Sequence, residues 1–212
     1  NADSTTARFT ILDTIKPSIT TPARDTIVQC DGSGNTGALA AWLATHGGAS
    51  AGDICSGVIW TNNFDSLSNG CGFTGTALVT FKATDSCGNA DSTTARFTIL
   101  DTIKPSITTP ARDTIVQCDG SGNTGALAAW LANNGGASAS DICSGVIWTN
   151  NFDTLSNGCG FTGTALVVFT ATDSCGNFST TTGRFTIEDT SKPTIITQAR
   201  DTIVQCDGSG DT

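Results

Sequence analysis

Nine cysteines carry the most reactive chemistry in this sequence, and their spacing is periodic. Cys30, Cys55, Cys71 and Cys87 recur 88 residues later as Cys118, Cys143, Cys159 and Cys175, and Cys206 repeats Cys30 once more. Thiols can close disulfides, hold a soft metal or act as nucleophiles. A zinc site needs closely spaced Cys and His ligands. Here there is no Cys-x-x-Cys pair, and the one histidine, His46, is Asn134 in the second copy. The same loss removes any recurring Ser-His or Cys-His pair, so no catalytic residues are assigned and the chain is not read as an enzyme. Disulfides remain, and they fit an oxidising, extracellular compartment. Four cysteines allow three connectivities within a unit, and bonds between units or between chains of a fibre are a further arrangement.

Oxygen donors are the second group. Asp31, Ser33 and Asn35 alternate with glycines, and Asp119, Ser121 and Asn123 repeat the pattern. Hard cations take such oxygen sets, so these six are candidate calcium ligands, although the glycine and terminal glutamate of an EF-hand are absent. Asp13, Asp85, Asp91 and Asp101 are expected to add carboxylates near the junction between units. No cofactor is required, and Ca2+ is the one these oxygens would take.

These residues sit in a chain of 212 residues built from two 88-residue units that differ only at positions 45, 46, 52, 66, 80 and 82 of the first. A third copy begins at Asn177. Such periodicity marks one structural module multiplied. The chain lacks Met and opens and closes within the repeat, which predicts a segment of a longer protein. The net charge is −9, carried by Asp, with Glu188 the only Glu. Nucleic-acid binding calls for a basic patch and is excluded as a leading reading. No apolar run approaches the roughly 20 residues that span a bilayer.

Short β-rich runs among Gly, Thr, Ser, Asp and Asn predict an all-β sandwich. Strands are expected at 25–30, 56–62, 77–84 and 95–100. Val79, Phe81 and Ala83 fall on one face of their strand, as do Ala95, Phe97 and Ile99. The positions of Thr80 and Lys82, which become Val168 and Thr170, lie on the opposite face, as does that of Leu100, which becomes Glu188. Tolerated polarity swaps mark that face as solvent. Residues 35–48 instead place Leu39, Trp42 and Leu43 at helical spacing, with Asn35 or Thr36 to start a helix and Gly47 to end it. Trp42 and Trp60 are read as core rather than sugar-stacking residues, with Trp60 as the main sandwich tryptophan. The joint is DTIKP, where Pro105 fixes φ and no Gly/Ser spacer intervenes. The chain therefore divides into 1–12, the last strand of a preceding module; 13–100, repeat 1; 101–188, repeat 2; and 189–212, the start of repeat 3.

The succession DTIKPSI, DTIVQCD, DICSGVIWTNNF, GCGFTGTALVTFKATDSCGN and RFTILDT resembles a hyalin-type (HYR-like) immunoglobulin-fold repeat. It is most similar to the cysteine-bearing version in very large secreted and surface adhesins of Bacteroidota, and the likeness covers the whole chain. The resemblance implies tandem immunoglobulin-like sandwiches, each with a short helical insert and two disulfides, in an extracellular adhesive or structural role. Asp-Thr-Ile, present five times, is similar to the Asp-Ser/Thr-aliphatic acceptor of Bacteroidota O-glycosylation, which makes Thr14, Thr26, Thr102, Thr114 and Thr202 candidate modified residues.

In a sandwich, Cys55 opens one strand and Cys87 ends its antiparallel neighbour, so both lie at one end; Cys30 and Cys71 lie at the other. That predicts Cys30–Cys71 and Cys55–Cys87, repeated as Cys118–Cys159 and Cys143–Cys175. The functional expectation is a repeat segment of a very long extracellular filament or cell-surface adhesin, a stiff disulfide-stapled stalk. Its partners are neighbouring repeats and other copies of the chain in a fibre, with no nucleic acid and no membrane span in this segment. The alternatives are a glycan- or protein-binding accessory array, for which only Phe64 and Phe73 offer exposed aromatics, and the spacer of a large secreted enzyme.

Overall fold

The computed structural model describes residues 1–206 and 208. The first module runs β1 (Ser18–Thr21), β2 (Thr26–Gln29), α1 (Thr36–Ala44), β3 (Ser50–Gly52), β4 (Ile59–Asn62), β5 (Gly75–Thr84) and β6 (Ala90–Leu100). The second repeats it as β7 (Ser106–Thr109), β8 (Thr114–Gln117), α2 (Thr124–Ala132), β9 (Ser138–Ser140), β10 (Val146–Asn150), β11 (Gly163–Asp173) and β12 (Phe178–Glu188). In each, a four-stranded sheet of order β2-β6-β5-β4 accompanies a two-stranded β1-β3 sheet. β2 lies parallel to β6 and the other pairs are antiparallel. The fold is an all-β sandwich with one short helix per module.

Side-chain alternation builds the core. Val79, Phe81 and Ala83 on β5 are 0% exposed, while Leu78 on the outer face is 63% exposed. β5 and β6 pair so that Ala77 meets Phe97 and Val79 meets Ala95, which places the apolar residues of both strands on one inner face. Burying a phenylalanine side chain contributes about 1.5–3 kcal/mol, so Phe81 and Phe97 anchor the module. β1 and β3, which have too little apolar alternation to be read from the sequence, pair with each other, and β1 runs near β6.

The helix caps this core. Trp42 lies edge-on to Phe81 at 5.2 Å and tilted to Phe97 at 5.4 Å, and its Nε1 donates to the Arg24 carbonyl at 3.2 Å. Gly47, at φ +66°, ends the helical segment against Ala23, Phe81 and Trp42, where a Cβ would crowd all three. The main sandwich tryptophan is therefore Trp42. Trp60 stands half-buried on the edge strand β4 and stacks on His46 at 4.8 Å. An edge strand has a neighbour on one side only, so its large side chain keeps an open flank. The second module repeats the cap, with Trp130 against Phe169 and Phe185.

Residues 1–12 form no strand: Phe9 is 89% exposed, whereas its counterpart Phe97 is 0% exposed between β5 and the helix. Among the described residues, no helix is long and apolar enough to cross a membrane.

Candidate functional site

The chemistry gathers where the modules meet. Each module has two cysteine-bearing ends. One carries the loops after β2 and before β5, with Cys30 and Cys71. The other carries the loops before β4 and after β5, with Cys55 and Cys87. At the junction the first kind of end of module 1 meets the second kind of end of module 2. Cys30 bonds to Cys143 and Cys71 to Cys175, with Cα separations of 6.0 and 5.2 Å.

This overturns the pairing within modules. Cys30–Cys71, Cys55–Cys87, Cys118–Cys159 and Cys143–Cys175 do not form. Cys55, Cys87, Cys118, Cys159 and Cys206 are free thiols. The ends were assigned as they stand, but the partner for each end is the next module. The same contact leaves Cys143 0% exposed, whereas Cys55, its counterpart at the uncovered end of module 1, is exposed.

Local structure makes the approach close enough. Gly72 has φ +57°, and a Cβ there would collide with the Cys143 carbonyl and the Ser144 side chain; a Cβ at Gly32 would strike the Ile142 carbonyl. The Phe73 N–H donates to the Cys143 carbonyl at 3.1 Å. Gln29 and Asn177 pin the connecting segment from either side. Gln29 Nε2 donates to Asp101 Oδ1 at 3.3 Å, and Thr102 Oγ1 donates to Gln29 Oε1 at 2.9 Å. From module 2, Asn177 Nδ2 donates to the Asp101 carbonyl at 3.2 Å. Pro105 is fully buried just beyond. The joint is thus held by two covalent bonds and a hydrogen-bonded linker.

Carboxylates collect beside it. Oxygens of Asp101 and Asp141 lie within 4.8 Å of each other, as do those of Asp101 and Asp173. Cys143 and Cys175 stand in the same groups but are spent in disulfides. Asp101 Oδ2 and Asp141 Oδ1 are buried without a hydrogen-bond partner, and Asp13 Oδ2 and Asp53 Oδ1 repeat the arrangement at the uncovered end of module 1. Asp13 and Asp53 there sit beside Cys55, whose thiol is pushed up by partial desolvation and then by the Asp13 and Asp53 charges. Asp85 is buried, which raises its carboxyl, but hydrogen bonds from the Asn89 side chain and the Asn89 and Cys87 amides outweigh this and hold it below the usual carboxylate range. Asp91, expected near the junction, instead pairs with Lys16 Nζ at 3.1 Å.

The expected calcium loop is otherwise engaged. Asp31 Oδ1 accepts from Ser33 N at 2.8 Å, Ser33 Oγ at 2.9 Å and Asn35 N at 3.0 Å. Asn35 Nδ2 donates to the Gln29 carbonyl at 2.8 Å, and Asn35 Oδ1 accepts from the Asp31 amide at 3.2 Å. Asp119, Ser121 and Asn123 repeat these bonds. The alternate oxygens fold the turn that starts the helix. Carboxylates that converge belong to the Asp101 and Asp13 groups, reached from the sequence through Asp13, Asp101 and Asp85, whose counterpart is Asp173. Asp53 and Asp141 carried no motif, and only their repetition could have flagged them.

Of the Asp-Thr-Ile threonines, Thr14, Thr102 and Thr202 are exposed, although the Thr102 hydroxyl is bonded to Gln29; Thr26 and Thr114 open β2 and β8 and are half-buried. Phe73 is 54% exposed and Phe64 packs against the core.

No family model matches this chain, and no curated protein does. Among solved structures, it is similar to Drosophila N-cadherin EC1-4 at 10% identity and a TM-score of 0.36, with 82% of this chain and 50% of that one covered. Mouse cadherin-23 EC22-24 gives 11% identity and a TM-score of 0.32 over 82% of this chain and 67% of that one. A chimeric titin Z1Z2-Z1Z2 tandem gives 14% and 0.24 over 81% and 99%. The chain spans half the length of the N-cadherin fragment it matches. Likeness at these values says nothing about ligand or activity.

Proposed function

We propose that this chain is a repeat segment of a very long extracellular filament or cell-surface adhesin, and that it serves as a stiff stalk. The observation that carries the reading is that both disulfides cross the junction instead of closing a module. A bond within a module stabilises that module; a pair of bonds between modules fixes one module against the next. Stalk stiffness is decided at the joints, and every disulfide among the described residues lies at one. The resemblance to HYR-like Bacteroidota repeats, the near-identity of the copies and the acidic surface agree with an extracellular array that stays soluble by charge. Partners are the neighbouring repeats and, in a bundled fibre, other copies of the chain. A periodic array offers a neighbour the same contact at each step.

Calcium belongs in this reading at Asp101, Asp141 and Asp173, whose hard oxygen atoms suit it. The ion would offset charge at a joint that the disulfides already close. O-glycosylation belongs at the exposed Thr14 and Thr202. Immunogold electron microscopy of intact source cells, with an antibody against one repeat, tests the reading. Gold spaced along thin surface fibres is expected; diffuse label, or label confined to released globular particles, would overturn it.

A further inference from the structure

We infer that the unpaired cysteines are the open halves of two more junctions of the same kind. Cys55 and Cys87 take the Cys30-type and Cys71-type cysteines of a preceding repeat, and Cys118 and Cys159 bond to the Cys55-type and Cys87-type cysteines of a following one. Every interior repeat is then bonded twice backward and twice forward, in a disulfide ladder along the array.

Each component of the formed junction has an unoccupied counterpart. Cys30 is 3% exposed, while Cys118 is half-buried. Gly32 and Gly72 are pressed against the backbone of module 2, whereas Gly120 and Gly160 keep the same positive φ, +77° and +61°, with open space around the Cβ direction. The backbone that lets module 2 approach Gly32 and Gly72 is thus already formed at Gly120 and Gly160, where a Cβ would meet nothing. At the other end, Ile54 is 82% exposed where Ile142, seated in the junction, is 56% exposed. The partner chemistry is also in the sequence. Residues 1–12 duplicate residues 89–100, and residues 189–206 follow the pattern of 101–118, so sequence of further copies flanks both open ends. Cys206 is the Cys30-type cysteine of that next copy.

Bond formation is a two-electron oxidation, and its oxidant is of the disulfide class. One cysteine thiolate attacks a sulfur of the oxidant and expels a thiol. The partner thiolate then attacks the mixed disulfide and expels the second thiol. Two protein S–H bonds and the oxidant's S–S bond are lost, while one protein S–S bond and two oxidant S–H bonds form. The ladder has a mechanical consequence that unpaired thiols lack. A covalent path runs from Cys71 to Cys175, back along the chain to Cys159 and across the next junction. A fully stretched oxidised array then gains only about 60 Å per repeat, against about 300 Å for an unbonded repeat.

Non-reducing peptide mapping of the full native protein tests the ladder. Free thiols are alkylated under denaturing conditions, and the chain is cut before Asp. That places the four cysteines of a repeat in separate peptides, 25–30, 53–64, 65–84 and 85–90 in the first unit. Peptide 65–84, marked by Thr80 and Lys82, is expected joined to 173–188, marked by Phe178. Peptide 153–172, marked by Val168 and Thr170, is expected joined to neither itself nor 173–188. Alkylated cysteine should be at least tenfold lower in the full protein than in the isolated 212-residue chain, where Cys55, Cys87, Cys118, Cys159 and Cys206 react. Alkylated 53–64 and 85–90 peptides from interior repeats of the full protein, or those two peptides joined to each other, would overturn the inference. Neither result depends on whether the protein is a surface stalk, which the immunogold labelling decides separately.

Discussion

Replacing Cys30 and Cys143 together by serine removes one staple and leaves Cys71–Cys175 in place. The lost bond spans 113 residues of sequence. Chain-entropy arguments give about 5 kcal/mol for a loop of that length, reduced to about 4 kcal/mol because the surviving bond already confines the unfolded chain. For a coupled unit of this size, each kcal/mol shifts the melting midpoint by about 2–4 °C, so the variant should melt about 8–16 °C lower. Thermal unfolding followed by circular dichroism reads this, and thiol titration in denaturant accompanies it. Parent and variant should both show the thiols of Cys55, Cys87, Cys118, Cys159 and Cys206. Pairing within modules would instead leave Cys206 alone in the parent and free Cys71 and Cys175 in the variant. An unchanged midpoint, or a thiol count that rises in the variant, would refute the reasoning.

Gly72→Ala should impair the Cys71–Cys175 bond, because its Cβ meets the Cys143 carbonyl and Ser144, whereas Gly160→Ala has open space. Both carry the strain of positive φ, about 1 kcal/mol, so the difference in disulfide yield on non-reducing mapping isolates the junction; equal yields would refute the close approach. Trp42→Ala should cost about 3–5 kcal/mol in urea unfolding, and Trp60→Ala clearly less, since only Trp42 is buried between Phe81 and Phe97. Asp85 and Asp31 are held below the usual carboxylate range in the folded state, Asp31 by the Asn35 and Ser33 amides. A depressed carboxyl stabilises the fold fully above its unfolded value and loses that contribution as pH falls through the folded one. Urea midpoints should therefore drop below about pH 4, and Asp85→Asn should flatten part of that drop.

The sequence made the sheet legible where its copies disagree. Thr80 with Val168 and Lys82 with Thr170 exposed the phasing of β5 and β11, and Phe81 and Phe97 then had to point inward. The helix was legible from Leu39, Trp42 and Leu43. The four-residue β1 and three-residue β3 were not, since SITT and SAG lack an apolar rhythm and exist as strands only by pairing with each other. Trp42 and Trp60 are equal as sequence, and only the edge position of β4 separates them. The disulfide partners were hidden by periodicity itself. Cys55 and Cys143 occupy the same place in near-identical surroundings, so spacing cannot tell a bond to one from a bond to the other. The Asp31 loop misled because the oxygen spacing that holds a cation also builds a hydrogen-bonded helix start.

Single-molecule stretching of the 212-residue chain from its two ends tests the stapled junction most directly. With both disulfides intact, force passes from Cys30 to Cys143 and bypasses the residues between, so the oxidised chain should extend to about 350 Å and reach about 740 Å only after reduction. An oxidised chain that already extends to about 740 Å, or one that lengthens in two equal module-sized steps, would contradict the account.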